Sequence, residues 1–292
     1  MSKTQHLNPI IDADSLVWNC GFMSNDGDDD PPLGFYLQAV KRSMESILWN
    51  FPDRTYTKVY IGGEGNFRHA VAFTKPYKGT RKQEKPMYYQ EIREYLVERW
   101  GAEIVNGEEA DDAVGKWQWS HPDKSTCIVA QDKDLKTIPG WHYWWKLQKM
   151  EWITPRDANI FFLRQMLTGD NSDNIPGVPK IGDKTADKII QQAGGDVMKL
   201  VSLVEREYQK AYGTDWQRVM DEQGTLLHIR RVDGKGWKDF IYKGTKQDGT
   251  ANKQDRNDAI VNSDDGVTPN SEAVGDSVEG QRGTAGAVGG EG

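Results

Sequence analysis

Three short apolar runs in this chain end in acid. "HLNPIIDAD" closes on Asp12, "TKVYIGGEG" reaches Glu64, and "STCIVAQDKD" runs into Asp132 and Asp134. Each run is too short for a helix and apolar throughout, as expected of strands buried on both faces. Between them lie segments with helical periodicity. Residues 36–50 form one, and "PMYYQEIREYLVERWG" another, with Tyr88, Ile92, Tyr95 and Leu96 on one side. "AEIVNGEEADDAVGKWQW" reads as a short strand, a turn and a helix from about Ala110, and "WHYWW" as a further strand. From Arg156 the pattern is helical, over 156–168, 183–193, 196–212 and 214–228. Alternating strands and helices followed by helices alone imply an α/β fold with a parallel twisted sheet flanked by helices, then a helical subdomain. The expected division is 1–155 for the sheet domain, 156–242 for the helices and 243–292 for a disordered acidic tail, on its Gly, Asp, Asn, Ser and Thr content.

The chain has 292 residues and no apolar run of membrane-spanning length, and "MSKTQHLNPI" lacks the apolar stretch of a signal peptide. Cys20 and Cys127 are far apart, apolar-flanked and outside any CxxC pattern, so both are expected to be reduced core thiols of a cytoplasmic protein. "SNDGDDDPPLG" spaces Asp26, Asp28 and Asp30 like calcium ligands but lacks that loop's glycine and glutamate, and reads as a solvated loop. The net charge of −7 disguises a basic fold. Residues 245–292 hold nine acids and four bases, leaving 35 acids against 33 bases elsewhere. If nine of those acids were occupied by metal, 33 bases would face 26 acids, a surface suited to phosphate.

Those nine acids are Asp12, Glu64, Glu109, Asp111, Asp112, Asp132, Asp134, Asp170 and Asp173. Loops at the carboxyl ends of parallel strands converge, and sites form there. Taken singly, Asp111 and Asp112 could complement a helix dipole, and Asp132 and Asp134 could be turn residues. Together they would repel one another severely without cations. Oxygen-only donors favour Mg²⁺ or Mn²⁺ over zinc.

Residues 67–86, "FRHAVAFTKPYKGTRKQEKP", carry Arg68, Lys75, Lys78, Arg81, Lys82 and Lys85 against Glu84 alone, interleaved with Phe67, Phe73 and Tyr77. Bases neutralise phosphates and aromatic rings stack on nucleobases, so the segment suits single-stranded nucleic acid, although a solvated loop has the same composition. "IPGVPKIGDKTADKII" places Gly177 and Gly182 around Val178 and Lys180, ahead of Lys184 and Thr185. It fits a turn between two helices whose amides grip a phosphate, and it is not a P-loop.

The motifs "EADD", "QDKDLKTIPG" and "GDNSDNIPGVPKIGDKTA", with "IIDAD" and "YKGTR", resemble the 5′ nucleases, which include flap endonucleases and the 5′-nuclease domains of bacterial polymerases. The look is nearest to the stand-alone 5′→3′ exonucleases of podovirus-type phages, over residues 8–230. The resemblance implies a PIN-like core with a helix-three-turn-helix at 164–193 that binds duplex DNA and often K⁺. It implies two Mg²⁺ ions, replaceable by Mn²⁺, on the nine acids: Asp12, Glu64, Glu109 and Asp111 at one and Asp132, Asp134, Asp170 and Asp173 at the other, with Asp112 between or behind. Lys78 and Arg81 become the catalytic cations at the scissile phosphate, within an arch-like segment 67–100. Arg68, Lys75, Lys82 and Lys85, with Gly177, Val178, Lys180, Gly182, Lys184 and Thr185, become DNA contacts. One departure stands out: the family's second strand ends in aspartate, and here the nearest acid is Glu64.

The expected function is therefore Mg²⁺-dependent 5′→3′ exonucleolysis of DNA, leaving 5′-phosphates, in phage DNA replication, degradation or recombination. Alternatives are flap endonuclease as the main activity, a PIN-type RNase, and a DNA-binding module that does not cut. A monomer in the host cytoplasm, contacting replication proteins through its acidic tail, completes the expectation.

Overall fold

The computed structural model describes residues 6–23, 31–82 and 84–244, with backbone only for 242–244. The tail from 245 and the Asp26–Asp30 loop lie outside the described residues. In chain order the elements are β1 (Asn8–Asp12), α1 (Asp14–Gly21), α2 (Leu33–Trp49), β2 (Lys58–Gly62), α3 (Arg68–Val71), α4 (Tyr89–Trp100), β3 (Glu103–Val105), α5 (Ala110–Ser120), β4 (Thr126–Ala130), β5 (Gly140–Trp144) and β6 (Lys149–Ile153). Helices follow: α6 (Pro155–Thr168), α7 (Asp183–Ala193), α8 (Val197–Tyr212), α9 (Trp216–Leu227) and α10 (Trp237–Gly244).

The sheet runs β3-β2-β1-β4-β5-β6. Its first four pairings are parallel, but β6 pairs antiparallel with β5. The sheet is thus mostly parallel and flanked by helices, as expected, with one antiparallel strand at its edge. "KMEWI" is half polar and sits at an edge, so it lacks the signal of a buried strand. Alternation along the central strands sorts their side chains onto two faces. Ile11, Val59, Ile61, Cys127 and Val129 pack with α1, α2 and α4. Ile10, Tyr60, Ile128 and Ala130 pack with α5. Both cysteines are free and buried.

The helices from α6 onward build a separate core around Phe162, Met166, Leu200, Val204 and Tyr208. Thr154 accepts a hydrogen bond from Asp157 N at 3.1 Å and Pro155 takes the first helical position, which fixes where α6 begins. The expected tail start is corrected: residues 243 and 244 end α10, whose Trp237 and Ile241 enter this core. Among the described residues no helix is long and apolar enough to cross a membrane.

The turn from α6 to α7 is stitched by Asp170 and Ile175, whose backbones exchange two 2.8 Å hydrogen bonds. Gly177, at φ 65°, backs onto Gly169, and a Cβ there would lie 2.3 Å from Gly169 N. Gly177→Ala therefore meets both a disfavoured φ and a backbone clash. It should lower stability by roughly 1–3 kcal/mol or more, measurable by urea denaturation.

Candidate metal and phosphate site

The cleft of about 720 Å³ opens where β1, β2 and β4 end, and Asp12, Asp14, Glu109, Asp111, Asp132 and Lys78 line it. Strand order explains the convergence: β1 is central, β4 and β2 flank it, and α5 starts above them. Asp12 is 4% exposed, and Asp14 N donates to its Oδ1 at 3.1 Å. Asp132 Oδ1 accepts from Asp134 N at 2.9 Å in a tight 3₁₀ turn (133–137). Gln165 on α6 donates to Asp134 Oδ1 at 2.7 Å, tying the helical core to this turn.

Asp170 and Asp173 reach the same place from the helical side. They do not lie one helical turn apart, as an α6 prolonged past Thr168 would have put them; they sit in the turn after it. Asp170 Oδ1 accepts from Ser172 N at 2.7 Å. Tyr77, 4% exposed, donates its hydroxyl between Asp173 Oδ2 at 2.7 Å and Glu109 Oε2 at 3.1 Å. Lys78 Nζ meets Glu109 Oε1 and lies 4.0 Å from Asp173 Oδ2, while Arg81 Nη2 donates to Asp173 Oδ1 at 2.7 Å. The structure thus brings Lys78 and Arg81 against the acids.

Charge in this cleft is under pressure. Burial, then repulsion from neighbouring carboxylates, holds Asp12 and Asp111 well above the usual carboxylate range. Withdrawal from bulk water, with Asp173 and Asp170 near, raises Asp132, even though its edge opens to the cleft. Desolvation, followed by repulsion from Asp132 and Asp170, pushes Asp134 up to about 8. Asp170 goes the other way, lowered by hydrogen bonds from Ser172 and Asp134 against the cost of its burial. Between about pH 4 and about pH 8 the fold therefore holds a proton on Asp134 that the unfolded chain has released, and Asp12, Asp111 and Asp132 are shifted in the same direction. Stability in EDTA should fall as pH rises through that window, and Mg²⁺ should raise the melting temperature more near its upper end.

Three expected site residues belong elsewhere. Asp112 is fully buried, and Arg68, 1% exposed, grips both its oxygens at 2.6 and 2.9 Å. Asp112 also accepts from Glu109 N and Arg230 N, at 3.1 and 2.8 Å. Arg68 outweighs burial and lowers Asp112, so this carboxylate has no lone pairs to spare for a metal. Arg68 spends its other donors on Leu226 O and His228 O, at 3.0 and 2.8 Å, so it is not a DNA contact. Glu64 is exposed outside the acids lining the cleft, in a loop where Asn106 Oδ1 accepts from its backbone N at 2.8 Å.

Among the phosphate contacts, Val178 turns its side chain into the helical core at 4% exposure. Lys180, Gly182, Lys184 and Thr185 are exposed at the start of α7, and Lys75, Lys82 and Lys85 are exposed along the basic segment. Segment 67–100 forms α3, an irregular stretch and α4. Its first part is tied down, since Phe73 N and Thr74 N donate to buried Glu222 Oε1 at 2.5 and 2.6 Å. Asp14 and Glu108 are the cleft acids that the reading of the sequence left out, and Glu108 is taken up by Lys116 and Arg230 at 2.7 and 3.4 Å.

Among the described residues no three acids converge as a ready-made metal cage. The donor set nonetheless suits hard divalent cations: it is all oxygen, drawn from four separate elements, and too repulsive to ionise fully alone.

The pattern of the family described as 5′-3′ exonuclease, C-terminal SAM fold, matches residues 161–226. The chain is 24% identical over 216 residues to a 5′-3′ exonuclease of Halalkalibacterium halodurans, covering 63% of this chain and 69% of that one. It is 28% identical over 197 residues to the 5′-3′ exonuclease of Buchnera aphidicola subsp. Schizaphis graminum, covering 61% and 68%. Over about three fifths of its length the chain is thus similar to 5′–3′ exonucleases. DNA polymerase I of Bacillus caldotenax matches the chain at 32% identity over 228 residues, 69% of this chain but 25% of the polymerase. T5 5′-exonuclease, solved with divalent zinc ions bound, shares the fold of this chain at TM-score 0.50 and 18% identity, covering 75% of this chain and 86% of that one.

Proposed function

We propose that the chain is a divalent-metal-dependent 5′-nuclease that hydrolyses DNA phosphodiesters and leaves 5′-phosphates. The observation that carries this reading is the meeting of two acid groups, from the strand ends and from the α6–α7 turn, under Tyr77, Lys78 and Arg81. Asp12, Glu109 and Asp111 would hold one ion, and Asp132, Asp134, Asp170 and Asp173 a second, with Mg²⁺ the expected metal and Mn²⁺ a substitute. When bound, such ions supply Lewis-acid charge to the phosphate and make water a better nucleophile near neutral pH.

The chain's own residues do the rest. Lys78 and Arg81 are within reach of phosphate oxygens once their carboxylate partners are otherwise engaged, and there they offset developing negative charge. Tyr77 orients Glu109 and Asp173 from a buried position. The start of α7, with Lys180, Gly182, Lys184 and Thr185, offers backbone amides and positive charge to a duplex phosphate. Lys75, Lys82 and Lys85 serve the single strand at the 5′ end. The test is cleavage of 5′-labelled duplex, flap and RNA–DNA hybrid with Mg²⁺ and with EDTA. Mg²⁺-dependent release from DNA 5′ ends supports the reading; cleavage undiminished in EDTA, or of RNA alone, refutes it. The ratio of mononucleotides to flap oligonucleotides assigns the main activity.

A further inference from the structure

β1 and β4 bring Asp12 and Asp132 to the cleft at their carboxyl ends, whereas β2, on the other side of β1, ends in Gly62 and Gly63 and brings none. That gap is filled from α1. Asp14 Oδ2 accepts from Gly62 N at 3.0 Å, and a Cβ on Gly62 would lie 2.9 Å from the same oxygen. The carboxylate of Asp14 therefore stands where a side chain on the last residue of β2 would begin. A Cβ on Gly63, in contrast, would run into Asn106 Oδ1, Val105 O and Ile104, away from Asp14.

Asp14 is also coupled to the deepest acid. Its backbone N–H makes the one hydrogen bond that the Asp12 carboxylate receives among the described residues, leaving Asp12 Oδ2 without a donor at 4% residue exposure. The opposite oxygen of Asp14, Oδ1, lies 3.6 Å from Arg93 Nη1, too long for a hydrogen bond. Arg93 gives its better contact, 2.6 Å, to Gly62 O. Asp14 thus keeps lone pairs for a cation on its Oδ1 side, next to an acid that is buried and short of partners.

We propose that Asp14 supplies the divalent-cation ligand on the β2 side of the cleft, a role Glu64 is not placed to fill. This rests on the metal-dependent reading above. A carboxylate carried by α1 does what a strand-end carboxylate would do, and the glycine at position 62 is what makes room for it. A merely structural Asp14, complementing the start of α1 or balancing Arg93, predicts changed stability and unchanged cation binding.

The experiment counts Mn²⁺ bound to the full chain without DNA, from the loss of the free-ion electron paramagnetic resonance signal. Wild type is compared with Asp14→Asn, Glu64→Gln and the exchange Asp14→Gly with Gly62→Asp. Melting temperatures in EDTA identify any variant that fails to fold. Asp14→Asn should weaken Mn²⁺ binding by at least about ten-fold, since even outer partners of metal ligands give ten- to hundred-fold losses. The exchange should restore most of it, and Glu64→Gln should weaken it far less. Folded Asp14→Asn that binds Mn²⁺ like wild type overturns the proposal. So does a loss in Glu64→Gln matching that in Asp14→Asn, or a folded exchange variant that recovers nothing. Wild type that binds no Mn²⁺ at all overturns the metal-dependent reading itself, a result distinct from the others.

Discussion

Asp132→Asn is expected to remove at least about a hundred-fold of turnover at saturating Mg²⁺ while leaving DNA affinity within a few-fold of wild type. Asp170→Asn should behave alike. Both change one oxygen to an amide nitrogen of nearly equal size, so packing survives. What is lost is a negative donor in a cleft whose other acids are already short of charge balance. Losing transition-state charge stabilisation commonly costs about 10²–10³ in rate. Affinity rests on other groups, the exposed lysines and the start of α7, and should even gain slightly from reduced repulsion of phosphate. Single-turnover cleavage and fluorescence anisotropy on one duplex check both halves. Full turnover in both variants would remove these acids from the chemistry.

The second large effect separates two neighbours in "EADD". Asp112→Ala should destabilise the fold by about 3–5 kcal/mol, because it leaves Arg68, at 1% exposure, with only the more distant Glu109 carboxylate at 3.6 Å. Arg68→Met should cost less than Asp112→Ala: it strands Asp112, but backbone N–H groups of Glu109 and Arg230 still satisfy that carboxylate. Asp111→Asn, one position earlier, should raise the melting temperature in EDTA at neutral pH, because burial and the neighbouring Asp12 and Asp132 disfavour the carboxylate whereas an amide needs no proton to be neutral. Urea denaturation of the three variants reads the contrast directly. Equal losses for Asp111→Asn and Asp112→Ala would mean that the two acids share one role.

That contrast marks how far the sequence was legible. The strands that end in acid, and the helices from Arg156, follow from local periodicity and could be read directly. Asp111 and Asp112 could not be told apart, because their fates are set by Arg68, 44 residues away from Asp112, and by Arg230, 118 residues away. A buried arginine and an exposed one have the same letter, and nothing in "FRHAV" marks Arg68 as enclosed. Glu64 looked like the acid of β2 because it was nearest in sequence, yet β2 stops at Gly62, and in the loop that follows Gly63, Gly65 and Asn66 line the cleft while Glu64 is exposed outside that lining. The signal for Asp14 was present as the doubled aspartate of "IIDAD" beside a strand end without one. It needed the β1–β2 pairing, Asp12 opposite Tyr60, to become visible. α10 escaped because its apolar residues are crowded into eight positions among glycines and lysines.

The anchoring of residues 73–78 bears on where this chain can change length. Phe73 and Thr74 are fixed to Glu222, Tyr77 to Asp173 and Glu109, and Lys78 N to Asp173 O at 2.9 Å. An inserted residue in this stretch would slip Tyr77 and Lys78 out of register with acids contributed by two different cores. Arg81 is still tied to Asp173 at 2.7 Å, and beyond it Lys82, Glu84 and Lys85 are exposed. The chain is thus free to lengthen or shorten after Arg81, while the stretch from Phe73 to Arg81 acts as a fixed gauge block.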